Sequence, residues 1–279
     1  MRYAFKTAPQ HSTWSDMLAL WKVGDELDVF ESAWNFDHFE PIFSDRSGPC
    51  FEGWTMLAAM AQATQRLRIG CMVTGNPYRH PAVLAKMAAT VDVISNGRLE
   101  FGLGAGWNET ECQALGIELA PLGERFDRFD EALEVIVGLL TQPRYSFAGR
   151  HYRLDQAYCE PKPIQRPHPP IVIGGGGERR TLRSVARWAQ IWNLPGSDPA
   201  TLIYKRDVLD EHCRDIGRDP SEIVTSVQVR YQPELGTGAL IDEIDALESA
   251  GMDLAIVLIP PPHDAGVLSH VAEALRDRA

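Results

Sequence analysis

The feature that most constrains the fold is a strict alternation of short apolar segments with amphipathic helical segments along the chain. Eight segments have the apolar content and the length of buried strands, and each precedes a stretch with apolar residues at helical spacing. This alternation predicts parallel strands covered by helices. The predicted strands are residues 3–9, 28–34, 67–74, 99–103, 171–173, 190–194, 223–229 and 254–259.

The number of strands and the length of 279 residues favour a closed barrel, because a (β/α)8 TIM barrel takes about 250 residues. An open doubly wound sheet uses the same alternation and is the rival topology. We predict an α/β chain with one (β/α)8 barrel domain over residues 1–279. A proline-rich insertion at residues 141–170 separates strands 4 and 5.

Helix punctuation supports this division of the chain. Thr13 is a predicted N-cap for the first helix, and Asp198 followed by Pro199 starts the sixth, which Gly217 ends. The other predicted helices are residues 54–64, 81–94, 109–115 with 124–140, 178–188, 239–250 and 265–276.

The composition restricts the kinds of partner that we expect for this protein. The net charge of −11 disfavours nucleic acid and anionic membrane surfaces, and no apolar run approaches the ~18 residues of a membrane span. The first residues lack the apolar core of a signal peptide, so we expect a cytoplasmic protein acting on a small molecule. The five cysteines are scattered and no H-E-x-x-H or C-x-x-C pattern occurs, so we expect no metal site.

Catalytic groups of such barrels lie at the C-terminal ends of the strands. Asp37 and His38 follow strand 2, and a histidine there can act as a proton donor or base. The alternative is that Asp37 caps a turn and His38 is an incidental loop residue. Thr74 and Asn76 follow strand 3 and can offer hydrogen bonds to a polar ring, although an ordinary proline-held loop has the same pattern.

Glycines follow strands 4 and 5. Near strand 4 they include Gly106, but Trp107 breaks the dinucleotide fingerprint, and a crowded barrel corner is the alternative explanation. Gly174, Gly175, Gly176 and Gly177 separate strand 5 from the predicted helix 178–188. Bare N–H groups before a helix bind phosphate, so we predict a phosphate site there, with a flexible hinge as the alternative.

Four stretches, taken together, resemble the luciferase-like monooxygenase superfamily, and most closely its actinobacterial branch that depends on the deazaflavin coenzyme F420. They are residues 34–41, 73–83, 97–107 and 171–177. The resemblance implies an F420-dependent oxidoreductase that transfers a hydride between the deazaflavin and an organic substrate. It also implies a homodimer.

The resemblance also implies roles for individual residues. His38 would stand near the reactive ring carbon beside Asp37, and a bulge at Met72 and Val73, often a cis peptide in relatives, would back the ring. The remaining cofactor contacts would come from Thr74, Asn76, Gly106, Asn108 and Gly174–Gly177, and the substrate pocket from Trp34 and Trp107.

One departure bears on the substrate. Relatives that oxidise sugar phosphates have a glutamate where this chain has Trp107, so a sugar phosphate is a poor expectation. Two other functions stay open: an FMN-dependent monooxygenase that uses reduced flavin and oxygen, and a barrel that binds a flavin or deazaflavin without catalysis.

Overall fold

The computed structural model describes residues 1–196 and 198–278. Its strands are β1 Arg2–Thr7, β2 Phe30–Asp37, β3 Arg68–Gly75, β4 Phe101–Gly104, β5 Tyr145–Ala148, β6 Arg153–Ala157, β7 Ile171–Gly174, β8 Ile191–Leu194, β9 Val224–Arg230 and β10 Leu254–Ile259. Its α-helices are α1 Trp14–Glu26, α2 Gly53–Ala63, α3 Pro81–Ile94, α4 Glu109–Leu115, α5 Leu122–Thr141, α6 Thr181–Trp188, α7 Pro199–Asp215, α8 Gly236–Ser249 and α9 Ala265–Arg278. Two short 3₁₀ turns lie at Asn76–Tyr78 and Pro220–Glu222.

Eight of these strands form a closed parallel barrel in the order β1-β10-β9-β8-β7-β4-β3-β2. Closure is direct, because β1 pairs with β10 on one side and with β2 on the other. The predicted (β/α)8 barrel is therefore confirmed, and the open doubly wound sheet is wrong. All strand C-termini point to one end, which we call the mouth.

Three local predictions differ from the structure. The insertion between β4 and β7 contains an antiparallel hairpin of β5 and β6. No strand was predicted there, because the prolines suggested irregular structure. Strand β2 continues to Asp37 because this residue still pairs with Thr74 of β3. Helix α6 begins at Thr181 and not at Glu178, because Lys205 and His212 of α7 hold Glu178 in the preceding turn.

The predicted helix caps are confirmed. Thr13 accepts a hydrogen bond from the backbone N–H of Asp16, and Asp198 accepts one from that of Thr201. Gly217 has a φ of +70°, a conformation that favours glycine after a helix end.

The core has two layers. The larger one lies between the barrel and its helices, and a smaller one fills the barrel below the mouth with Ala4, Trp34, Met72, Val172, Ile191, Leu254 and Ile256. Trp34 has no exposed surface, and its indole N–H donates to Ser32 Oγ at 2.9 Å. The side chain of Trp34 therefore lies inside the barrel filling below the mouth, and its substrate-pocket role stays a prediction.

Within the two described ranges, no helix combines the length and apolar character needed to cross a membrane. The same ranges hold no group of three or more histidine, cysteine or acidic side chains arranged to hold a metal ion.

Candidate active site

His38 lies directly after β2, at the mouth, and is only 7% exposed. Aromatic rings surround its imidazole edge to face: Phe36 at 5.1 Å, Trp107 at 5.5 Å and Tyr78 at 6.1 Å between ring centroids. These contacts restrict the orientation of the imidazole ring, so its two nitrogens have different environments.

Glu111 contacts one of the two imidazole nitrogens of His38. This carboxylate on α4 is fully buried, and its Oε2 lies 2.8 Å from Nδ1 of His38. Tyr78 donates its hydroxyl hydrogen to the same oxygen at 2.5 Å, and the backbone N–H of Phe39 donates to Oε1 at 2.6 Å. In the described part of the chain, Nε2 of His38 has no hydrogen-bond partner. Nε2 is therefore the nitrogen that remains available for proton transfer.

The electrostatics support this assignment. Burial opposes the charge of Glu111, but the hydrogen bonds from His38, Tyr78 and the Phe39 backbone hold its pKa below the ordinary value. Burial raises the pKa of Tyr78, and the Glu111 carboxylate raises it further, so the phenol keeps its proton. An ionised Glu111 favours a proton on Nδ1 of His38. Neutral His38 then has an unprotonated Nε2 that can accept a proton.

Asp37 lies on the outer side of β2 and does not face the mouth. Its two carboxylate oxygens accept hydrogen bonds from the two terminal nitrogens of Arg79, at 2.5 and 3.0 Å. Arg79 also bonds to Glu52. Burial opposes the Arg79 charge, yet Asp37 and then Glu52 raise its pKa. Asp37 is fully buried, so this contact positions the loop after β3; the catalytic role of Asp37 stays a prediction.

The bulge expected at Met72 and Val73 is present, and their peptide bond is cis. The Val73 side chain lies where glycines of neighbouring strands leave room. A Cβ added at Gly102, Gly104 or Gly174 would lie 2.9–3.2 Å from the Val73 methyl groups. The absence of a side chain at these glycines therefore makes room for Val73 itself.

The remaining predicted residues on this side have defined roles. Thr74 is fully buried, and its hydroxyl accepts a hydrogen bond from the Trp54 indole at 2.8 Å; its contact with a ring edge stays a prediction. Asn76 bonds to the Tyr152 hydroxyl at 3.3 Å. Asn108 is the N-cap of α4 and accepts from the backbone N–H of Glu111.

Gly106 lies between β4 and α4 with a φ of +87°, and a Cβ there would meet the Pro77 ring at 2.7 Å. Its carbonyl accepts a hydrogen bond from Arg125. Both contacts fix the wall of the mouth close to Asn108.

The loop Gly174–Gly177 lies at the opposite wall. The N–H of Gly175 donates to Asn193 O at 2.9 Å, and Gly175 has a φ of +117° that side chains rarely adopt. Arg180 is bound to Asp127 and Asp130. This ion-pair network leaves the neighbouring exposed Arg179 as the arginine better placed for an anion.

An aromatic stack covers the mouth above His38. The Trp107 and Phe43 rings are nearly parallel, with centroids 5.6 Å apart and an interplanar angle of 6°. Both are exposed, at 54% and 84%. Phe43 has a φ of +56°, in the left-handed region that is costly for an aromatic residue. The stack gives the mouth a large exposed apolar surface; the substrate-pocket role of Trp107 stays a prediction, and Phe43 was not among the predicted residues.

Sequence reasoning missed Glu111, Tyr78 and Lys6. Asn108 and Glu111 have the spacing of an N-cap and the third residue of a helix, so helix capping alone explains their presence in the sequence. Lys6 interrupts an apolar strand at the position two after Ala4, on the same inward face. This lysine at an inward position of a strand is the sequence feature that could have predicted a cation inside the barrel.

A cavity of about 270 Å³ lies beside the mouth, lined partly by Asn76, His80 and Tyr152. It also contains the arginines 79, 125 and 128. Arg79 and Arg128 are bound to carboxylates, and Arg125 to backbone carbonyls. The cavity therefore has space and hydrogen-bonding groups for a ligand, but carboxylates neutralise the charges of two of its three arginines.

Comparison with known proteins gives two informative curated relatives. The chain is 34% identical over 141 residues to an FMNH(2)-dependent dimethylsulfone monooxygenase of Pseudomonas putida, covering 50% of this chain and 38% of that protein. It is 30% identical over 242 residues to an F420-dependent glucose-6-phosphate dehydrogenase of Microbacterium testaceum, covering 85% of this chain and 70% of that protein. The chain thus spans well under half of the monooxygenase.

Among solved structures, an F420-dependent secondary alcohol dehydrogenase in complex with an F420-acetone adduct superposes with a TM-score of 0.86 and 20% identity, covering 99% of both chains. This similarity is one of fold. A family model described as luciferase-like monooxygenase matches residues 4–253. Because this match runs from within β1 to the residue before β10 and includes the mouth residues from His38 to Gly177, the chain belongs to the luciferase-like monooxygenase family.

Proposed function

We propose that this protein is a coenzyme F420-dependent oxidoreductase that transfers a hydride between the deazaflavin and a small organic substrate. The observation that carries the proposal is the 30% identity to an F420-dependent dehydrogenase over 85% of the chain. The match to an FMN-dependent enzyme covers only 50%.

The mouth has features that fit a flat ring. Glycines at 102, 104 and 174 let the Val73 side chain pack closely against the neighbouring strands, and the Trp107–Phe43 stack supplies apolar surface above. A bound deazaflavin would supply the hydride chemistry, and the protein would orient the reactants and exclude water. The phosphate end is proposed to lie at Gly174–Gly177, with Arg179 nearby. Asn76, Gly106 and Asn108 would form the wall beside the ring.

His38 is the proposed catalytic residue. Among the residues that the structure describes, its Nε2 has no hydrogen-bond partner, while Glu111 holds Nδ1 at 2.8 Å. Hydride transfer to or from an alcohol or carbonyl carbon needs a matched proton transfer at oxygen. Nε2 can accept or return that proton, and the Glu111 carboxylate stabilises the imidazolium that forms.

Coenzyme binding tests the proposal directly. Purified protein is titrated with F420 and, in parallel, with FMN, and coenzyme fluorescence is recorded. We expect saturable quenching or a spectral shift with F420 and a weaker response with FMN. A Gly176→Ala variant, whose new Cβ meets only the flexible Leu194 side chain at 2.7 Å, should weaken F420 binding by narrowing the loop. Gly123→Ala, with open space around the new Cβ, is the matched control.

The second candidate is an FMN-dependent monooxygenase, favoured by the 34% identity to the dimethylsulfone enzyme over half of the chain. A clear preference for FMN in the titration, with substrate oxygenation in the presence of oxygen and reduced flavin, would establish it instead. We also propose a homodimer; sedimentation velocity should give twice the 31.0 kDa mass of one chain.

A further inference from the structure

Lys6 carries an ammonium group into the barrel mouth. Its Nζ donates to the carbonyl of Met72 at 3.1 Å and to Oε1 of Gln228 at 3.0 Å. An ammonium has three N–H donors, so one remains after these two bonds. Within the described ranges, Lys6 has no carboxylate partner.

Arg230 lies on the same inward face and at the same level. Lys6 pairs in register with Leu258 of β10, and Leu258 pairs with Arg230 of β9. Side chains of paired residues in parallel strands share a face, and Gln228, two residues before Arg230, already points at Lys6. Arg230 is close enough that its charge lowers the pKa of Lys6. Among the residues that the structure describes, Arg230 also lacks an ion pair.

A chain of hydrogen bonds fixes the polarity of this site. Gln228 presents its oxygen to Lys6 and donates its amide N–H to Asn193 at 2.8 Å. Asn193 donates to Ser226 Oγ, which donates to the carbonyl of Trp192. In this chain of hydrogen bonds the side-chain oxygens of Gln228 and Asn193 are both on the side nearer to Lys6. Lys6 must therefore be the hydrogen-bond donor to Gln228.

These two cations contrast with the arginines of the neighbouring cavity. Arg79 and Arg128 are each held by two carboxylates. In a chain with a net charge of −11, carboxylates are abundant, yet within residues 1–196 and 198–278 none forms an ion pair with Lys6 or Arg230. The desolvated ammonium of Lys6 and the exposed guanidinium of Arg230 carry like charges, and an anion lying between them would stabilise both.

The location separates this site from the proposed coenzyme contacts. Those contacts lie on or directly after β2, β3, β4 and β7, whereas Lys6 and Arg230 lie on β1 and β9. The hydrogen bond to the Met72 carbonyl places Lys6 at the boundary between the two halves. We propose that Lys6 and Arg230 form a subsite for the carboxylate of an organic acid substrate. This proposal rests on the proposed function, which assigns the other half of the mouth to the coenzyme.

Direct binding of small anions tests this subsite without coenzyme. Calorimetric titrations of the whole protein use benzoate, with acetate and inorganic phosphate as further anions and benzamide as the uncharged analogue. We expect benzoate to bind at least tenfold more tightly than benzamide. Lys6→Met and Arg230→Met should each weaken benzoate binding at least tenfold, and leave benzamide unaffected. Arg183→Met, which removes an exposed charge from α6, is the control and should bind benzoate as the wild type does.

The pH dependence gives an independent readout. Burial lowers the pKa of Lys6 to about 8; the Cys71 thiol opposes this shift and Arg230 adds to it. Burial raises the pKa of Cys71 well above its usual range, so that group stays neutral. Benzoate affinity should therefore fall as the pH rises through about 8, because Lys6 loses its charge. Lys6→Arg keeps its charge and should lose this pH dependence.

Equal affinity for benzoate and benzamide, absence of binding for all three anions, or unchanged benzoate binding in Lys6→Met would overturn the proposal. If Lys6→Met weakens F420 binding and not benzoate binding, the cation serves the coenzyme and the substrate subsite is also excluded. Failure of the proposed function has a different signature: the wild type would not respond to F420, while the anion titrations would still give the expected pattern.

Discussion

Nδ1 of His38 and Oε2 of Glu111 lie 2.8 Å apart and join the end of β2 to the first turn of α4. The glutamate end of this bond is fully buried, and the histidine is only 7% exposed. A residue after one strand is thus oriented by a carboxylate on the helix that follows β4, two βα units further along the chain.

Removing the imidazole should affect the chemical step more than binding. We expect His38→Ala to lower kcat about 100- to 10,000-fold, the usual range for a lost general acid or base, with F420 affinity changed only a few-fold. Steady-state oxidation of reduced F420 by a substrate found in screening, together with fluorescence titration, measures both. Full activity in His38→Ala would contradict the catalytic role, and wild-type binding without any turnover would favour the non-catalytic barrel.

Glu111 should act through His38, as a positioning residue. Glu111→Gln keeps the shape but removes the charge, and we expect kcat to fall about 10- to 100-fold with KM nearly unchanged. Nitrogen-15 NMR of the His38 ring should show a loss of the Nδ1-protonated form. Glu109→Gln on the same helix is exposed and should change neither measurement. An unchanged His38 spectrum in Glu111→Gln would remove the positioning role.

The barrel could be predicted from sequence because each strand and helix has its own local signal. Periodicity located all eight barrel strands, and the cap residues Thr13 and Asp198 located two helix starts. The hairpin of β5 and β6 was missed, since its exposed strands lack an apolar run and its prolines suggest irregular structure.

The site was only partly predictable, because proximity across the barrel is not encoded locally. His38 was recognisable from its place after a strand. Glu111 is 73 positions later in the chain and carries only a helix-capping signal. Asp37, directly next to His38, points the opposite way because successive strand residues face opposite sides. Adjacency in sequence therefore suggested a pair that the strand geometry separates.

The close approach of β3 and β4 makes Gly102 sensitive to substitution. A Cβ at this position would lie 1.9 Å from the backbone carbonyl oxygen of Cys71, which cannot move without disturbing the barrel. We expect Gly102→Ala to destabilise the fold by about 1–3 kcal/mol or more. Gly238→Ala, in α8 with nothing within 4 Å, should instead stabilise by about 0.5–1 kcal/mol. Urea unfolding of both variants measures the contrast; equal effects would show that the barrel relaxes freely.

The Asp37–Arg79 pair should be costly to break from one side. Arg79→Met leaves the fully buried Asp37 carboxylate without its partner, and we expect a loss of about 3–5 kcal/mol. The double variant Asp37→Asn, Arg79→Met should be more stable than Arg79→Met alone, because no buried charge is left. Arg276→Met breaks the exposed pair with Asp28 and should leave the unfolding midpoint almost unchanged. If the double variant is as unstable as Arg79→Met, the loss of stability comes from altered packing and not from the buried charge of Asp37.

The buried position of Lys6 should make stability depend on pH. In the folded protein its pKa is lowered to about 8, while the unfolded chain keeps a value near 10.5. Between these values the unfolded chain binds a proton that the folded protein lacks, so this group makes the free energy of unfolding rise with pH, by at most about 1.4 kcal/mol per unit. Lys6→Met lacks this contribution, and the Cys71 and Arg230 groups around it are common to both proteins. The stability of the wild type relative to Lys6→Met should therefore increase between about pH 8 and pH 10, as measured by urea unfolding at both ends of the interval. Parallel pH curves for the two proteins would show that Lys6 titrates as a solvated lysine, and the subsite would then lack the desolvated ammonium on which its anion affinity depends.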